Sequence, residues 1–242
     1  MSTRKLLVAG TVAGPLFLIV VLVQLMTRDG FDIAHHPISL LSRTAVGWVQ
    51  ITNFVIAGLL YAAFARGLAR TMATGTGSAW VPRLIGVMAL CLVLGGVFVT
   101  DAGLGYPQGA PEGIPEHLSW HGTIHAVAPP MAFTALTAAT IVAARRFRAA
   151  GDRGWAWYTA VSGALTFLVP GFPDNDTISW RIAIGLVVGF GWLSALALRE
   201  LAAERRQLSS PPTSPGPSVR RTGPRSATSA AGWRAGMSRN GP

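Results

Sequence analysis

The sequence predicts an all-α membrane protein, a bundle of six transmembrane helices with both termini on the cytoplasmic side. Three observations lead there. Six apolar stretches, 6–26, 47–64, 81–100, 121–144, 155–169 and 178–198, approach the roughly 20 residues a helix needs to cross a hydrocarbon core. Hydrophobic residues make up 50% of the chain and charged ones 12%, too few for the surface of a soluble fold. Basic residues, finally, fall almost entirely in alternate gaps between the stretches. In lipid every backbone N–H and C=O must be paired internally, so the stretches can only be helices.

Each element carries its own signals. The first stretch follows Arg4 and Lys5 like a secretory leader, but its apolar run is too long and Arg28-Asp29 follows instead of a small-residue cleavage site. It reads as an uncleaved first helix. After it, Pro37 is well placed to start a short helix carrying Ser39 and Ser42. The single cysteine, Cys91, lies midway along the third stretch, so no internal disulfide can form. In the fourth, Pro129 and Pro130 lack N–H groups, so the carbonyls of His125 and Ala126 lose their usual partners. The pairs Gly10/Gly14 and Gly185/Gly189 have the spacing that lets membrane helices approach closely, although the high glycine content also accounts for them. Residues 1–204 form the transmembrane domain. The tail, 205–242, is rich in Pro, Ser, Thr, Gly and Arg and reads as disordered, since it has too little apolar surface to offset the entropy of ordering.

The distribution of positive charge sets the orientation. One side holds Arg4 and Lys5, then Arg66, Arg70 and Arg83, then Arg145, Arg146, Arg148 and Arg153, and eight more basic residues from Arg199 onward. The other side has only Arg28, Arg43 and Arg181. Trp48, Trp120 and Trp180 mark outer ends, and Trp80, Trp155 and Trp157 inner ends. The net charge of +10 therefore reflects topology, and no nucleic-acid partner is expected; the partners are membrane lipids of a bacterial inner membrane.

This orientation collects the chemistry on one face. All five histidines, His35, His36, His117, His121 and His125, fall at outer ends, with Asp29, Asp32, Asp101, Glu112, Glu116, Asp174 and Asp176. His121 and His125 are four apart on one helix, a spacing that can point two imidazoles at one metal ion; equally, such a pair at a helix start can simply be solvated. Asp101 closes the third stretch at about the depth of His121, where an ionisable group needs a partner or a task, or is wetted by headgroups. The Gly- and Pro-rich loop between Gly103 and Pro115 can drape over a pocket or serve as a plain connector.

Together, His35-His36-Pro37-Ile38-Ser39-x-x-Ser42, Gly47-x-x-Gln50-x-x-Asn53-Phe54, Asp101 and Gly122-x-x-His125 resemble the bacterial membrane family catalogued as domain of unknown function 998, over about residues 6–201. The resemblance implies a small multi-spanning protein and carries no activity with it. A more distant similarity is to the seven-helix zinc hydrolases that include alkaline ceramidases and adiponectin receptors. Those combine a Ser and a His near one helix end, an Asp on the next helix and a later His-x-x-x-His; His36 and Ser39, Asp101, then His121 and His125 follow that chain order. The departures are six helices instead of seven, His before Ser, and a His pair that opens the fourth helix.

Three functions follow as expectations. In the first, zinc held by His36, His121 and His125 supplies hydroxide, Asp101 orients that water or acts as general base, and Ser39 bonds the carbonyl or developing oxyanion of a lipid amide or ester. In the second, the chain is a non-catalytic scaffold or sensor. The third, a transporter, is disfavoured because no ionisable residue lies in the inner half of a span.

Overall fold

The computed structural model describes residues 1–171 and 178–209; Asp174, Asp176 and the tail beyond 209 lie outside the described residues. Helices account for the regular structure, and no strand occurs among the described residues. They are α1 (Thr3–Thr27), a short 3-10 helix (Ile38–Arg43), α2 (Trp48–Thr71), α3 (Trp80–Val97), α4 (Trp120–Ala149), α5 (Arg153–Gly171) and α6 (Ile178–Ser209). By length and apolar composition, α1, α2, α3, α4 and α6 are each able to cross a membrane. The nineteen-residue α5 falls outside that group, with Trp155, Trp157, Tyr158, Thr159, Ser162 and Thr166 among its residues.

Boundaries moved where local chemistry decides them. The short helix starts after Pro37, as the fixed proline φ favours. Helix α3 stops at Val97, three residues earlier than its apolar run, so Asp101 sits beyond the helix end. Helix α4 opens at Trp120 because the Ser119 side chain caps it by accepting from the Gly122 N–H, and this leaves the exposed His117 outside the helix. Pro129 and Pro130 sit within α4 without ending it. Helix α6 continues to Ser209.

Each helix packs on its chain neighbour, and α6 returns to α1, so Met1–Ser209 form a closed ring. The centre belongs to aromatic rings from three helices. Phe17 of α1 lies 5.3 Å from both Phe54 of α2 and Phe190 of α6, and Tyr61 of α2 lies 5.1 Å from Phe190. Glycine admits these rings: a Cβ at Gly10 would overlap the Phe64 ring, and one at Gly14 would press on the Tyr61 hydroxyl. Gly185 and Gly189 face Pro170 and Leu136 in the same way, so both small-residue pairs mark close packing.

The two ends of the bundle differ in chemistry. At one, the loops bearing His36 and Leu104 meet, and the Ser179 hydroxyl donates to the His35 carbonyl at 2.8 Å. At the other, Arg146 donates to the carbonyls of Thr74 and Thr76, and Arg70 to that of Met1. We call these the histidine end and the arginine end. Because Phe64 is fully buried against Gly10, Gly10→Val should force that ring aside and cost about 1–3 kcal/mol. Thermal unfolding in detergent checks this, with Gly86→Val as the control, since a Cβ there meets nothing within 4 Å.

Candidate functional site at the histidine end

The site starts from an unmet need. The last carbonyls of α3 have no partner within the helix, and in lipid they cannot be left bare. Helix α4 supplies the donors. His125 Nδ1 lies 3.0 Å from the Gly95 carbonyl and 2.8 Å from that of Phe98. Both partners are acceptors, so Nδ1 carries the proton and Nε2 keeps its lone pair. One turn earlier, His121 Nδ1 donates toward the Val99 carbonyl at 3.2 Å and the Ser119 hydroxyl at 2.9 Å. The histidines four apart thus tie α4 to the end of α3.

Asp101 completes the joint. Its two carboxylate oxygens accept from the Ser119 hydroxyl at 2.7 Å and the Ser119 N–H at 2.8 Å. The Ser119 oxygen meanwhile accepts from the Gly122 N–H at 3.1 Å, so one hydroxyl links carboxylate, helix start and imidazole. A Cβ at Gly122 would collide with the Asp101 carboxylate, so this close approach requires glycine. The Ser119 hydroxyl holds the Asp101 carboxyl below its ordinary range against a desolvation that pushes it up; the Ser119 N–H and the charges of His121 and Arg43 add to the lowering.

His36 is engaged separately. Its Nδ1 accepts from the Asp32 N–H at 2.9 Å, which puts the proton on Nε2, and Nε2 donates to the Leu104 carbonyl at 3.0 Å. Leu104 holds a left-handed φ of 57°, uncommon for a branched residue, and its carbonyl meets His36 in that conformation. Tyr106, 3% exposed, packs with its ring 5.1 Å from both His36 and Phe31. The 103–115 loop is thus fastened to the loop after α1.

A cavity of about 150 Å³ lies between the short helix, α2, α3, α4 and α6. His125 and Ser39 line it with Cys91, Phe54, Pro129 and Phe133. The structure therefore joins Asp101 with His121 through Ser119, and brings Ser39 and His125 to a common cavity. His36 stands apart on the loops. Among the described residues no three His, Cys, Asp or Glu side chains are grouped to hold a metal. Of the three imidazoles expected to bind zinc, His36 has both nitrogens engaged, and only Nε2 of His121 and of His125 is free of a hydrogen bond. His36 is thus committed to the loops.

Ser119 and the α3 carbonyls have no place in the sequence motifs, and Gly122 enters them only through Gly122-x-x-His125. Ser119 directly before an apolar run is a readable helix start, but its link to Asp101 spans eighteen residues and has no local signature.

The fold and this junction define a multi-pass, all-helical protein of membrane type. The chain belongs to the family described as Protein of unknown function (DUF998), whose model matches residues 11–199. No curated protein and no solved structure matches it, so the similarity to the zinc hydrolases rests on motif order alone.

The pH dependence of the junction has a definite sign. A carboxyl held below its ordinary value stabilises the fold above that value and loses the contribution as pH falls through the folded value. Asp101→Asn should therefore lower the melting temperature at pH 6–7, and the gap to wild type should close below about pH 4. A difference constant across that range would mean that the charge on Asp101 is not what the junction uses.

Proposed function

We propose that the chain crosses the membrane six times with both termini cytoplasmic, in a bacterial cell membrane, and that the cavity at its outward histidine end takes up a lipid amide or ester. Three features support six spans. At 1.5 Å per residue the nineteen residues of α5 extend about 28 Å, close to the hydrocarbon thickness. Helix α5 packs between α4 and α6 within the ring, and a sixth crossing leaves the basic gaps on one side.

The observation that carries the ligand reading is the cavity shared by His125 and Ser39. Its walls are otherwise mostly apolar, which suits an acyl chain. Because His125 Nδ1 is committed to backbone carbonyls, Nε2 is an acceptor for a ligand N–H or O–H. The Ser39 hydroxyl is a donor for a ligand carbonyl. One acceptor and one donor in an apolar cavity complement an amide, and a hydroxylated ester nearly as well.

Hydrolysis is the second reading, favoured by a neutral imidazole and a hydroxyl lining one cavity, where His125 Nε2 could accept a proton from Ser39 or water. Binding without turnover is the scaffold or sensor reading.

Orientation is checked by labelling in intact cells. In a Cys91→Ala background, a cysteine at Gln108 should react with an impermeant thiol reagent and one at Ser209 should not; the opposite result reverses the topology.

Ligand uptake is checked with a long-chain fatty amide carrying a photoactivatable group near its carbonyl. Cross-links should map to the cavity walls of α3 and α4, fall several-fold in Ser39→Ala, and disappear when Ala132→Trp fills the space. Labelling spread over the lipid-facing surface of α1, or indifferent to both changes, would sink the proposal. Fatty acid released by wild type and not by Ser39→Ala would establish hydrolysis; cross-linking without release would leave a receptor or scaffold.

A further inference from the structure

The arginine end carries a second feature, independent of the cavity just described. A groove of about 690 Å³ runs between the end of α4 and the start of α5, lined by Arg145, Arg148, Arg153 and Trp157 with Gly151 and Ala156. All three arginines are exposed, and none of their guanidinium groups makes a hydrogen bond or ion pair with a described residue. Their neighbours behave differently. Arg146 donates to the Thr74 carbonyl at 2.8 Å and the Thr76 carbonyl at 3.1 Å. Arg199 bonds the Asp152 carboxylate at 2.8 Å and lies over the rings of Phe147 and Trp155, at 4.6 and 4.7 Å. The described acids of this end, Asp152, Glu200 and Glu204, do not line the groove.

Helix ends explain only part of this charge. Arg145 and Arg148 sit near the C-terminus of α4, where the macrodipole favours cations. Arg153 is the first residue of α5, at the positive end of that helix, where a cation is disfavoured. Three like charges around one groove, one of them placed against a helix dipole, call for an anion. Guanidinium forks match phosphate oxygens, and the arginines flank an open groove with no competing carboxylate in its lining. Trp157 is 73% exposed, as suits an indole at headgroup depth, and Ala144, Ala156 and Ala160 offer small apolar walls.

We propose that this groove binds the phosphate of an anionic phospholipid headgroup, with Arg145, Arg148 and Arg153 around the phosphate and the acyl chains leaving along α4 and α5. Under the orientation above, the lipid belongs to the inner leaflet.

The test uses the full chain, so that the arginines of the tail contribute equally to every variant. Detergent-purified protein is mixed with equimolar phosphatidylglycerol and phosphatidylcholine of identical acyl chains, and retained lipid is counted by native mass spectrometry. Wild type should retain phosphatidylglycerol in preference. Arg148→Gln or Arg153→Gln should each lower that preference about fivefold, and the triple variant with Arg145→Gln about a hundredfold. The paired change Arg66→Gln with Arg83→Gln, which alters a separate groove between α2 and α3, should leave it intact. Near-ultraviolet circular dichroism confirms folding, and if the triple variant does not fold the single variants decide. Equal retention of the two lipids by wild type, or a preference unmoved by the α4–α5 substitutions, overturns the proposal. Displacement of phosphatidylglycerol by excess inorganic phosphate also overturns it, because the groove would then be a site for free phosphate.

Discussion

The constraint on which the histidine end depends is the end of α3. A helix that stops at Val97 leaves its last carbonyls without partners, and each buried, unpaired acceptor costs about 1–3 kcal/mol, more where water is scarce. His125 answers one of them, that of Gly95, together with the Phe98 carbonyl just past the helix end, and His121 answers the next, that of Val99. Much else follows from this. The donors fix the register of α4 against α3, Ser119 begins α4 where its hydroxyl reaches Asp101, and Gly122 removes the side chain that would block the carboxylate. The imidazole protons are likewise fixed by acceptors that cannot change their role.

That constraint also decides what the histidines can do. An imidazole whose Nδ1 is pinned to backbone carbonyls presents a lone pair on Nε2 in a set direction, the state needed in a ligand acceptor, a base or a metal ligand. A metal, however, needs several such nitrogens converging, and His36 uses its two to fasten one loop to another. His36 is therefore a strap for the 103–115 loop, and His125 is the imidazole with chemistry left to offer.

Much of the architecture was legible in the sequence, because the membrane imposes a simple rule on long apolar runs. The six helices lie where hydropathy put them, Pro37 begins its short helix, and the glycine pairs sit at tight contacts. Asp101 reads at about the depth of His121, and the two meet through Ser119. Tautomers and partners were not legible. Spacing places two histidines on one face of a helix, but whether they face a metal or a carbonyl depends on where the neighbouring helix ends. Helix α3 ends before its apolar run does, and residue type alone does not announce that. The Ser119 bridge was hidden for a related reason, since it pairs side chains from two segments that only the folded loop brings together.

The two ends of the bundle place opposite demands on their charges. At the histidine end, Asp101, Ser119, His121 and His125 bond one another or backbone carbonyls, beside a small apolar cavity with one acceptor and one donor. At the arginine end, Arg146 and Arg199 spend their charge on holding loops and helices together, while Arg145, Arg148 and Arg153 do not. Positive charge at one end of a membrane bundle has a general reason, since basic loops bias a chain's orientation. That reason fixes the side on which arginines lie and says nothing about their convergence. It would be met equally well by three arginines scattered around the rim. Their gathering around one groove, beside an exposed tryptophan and against the dipole of α5, asks for a particular anion at a particular place, and the lipid headgroup is the anion a membrane supplies.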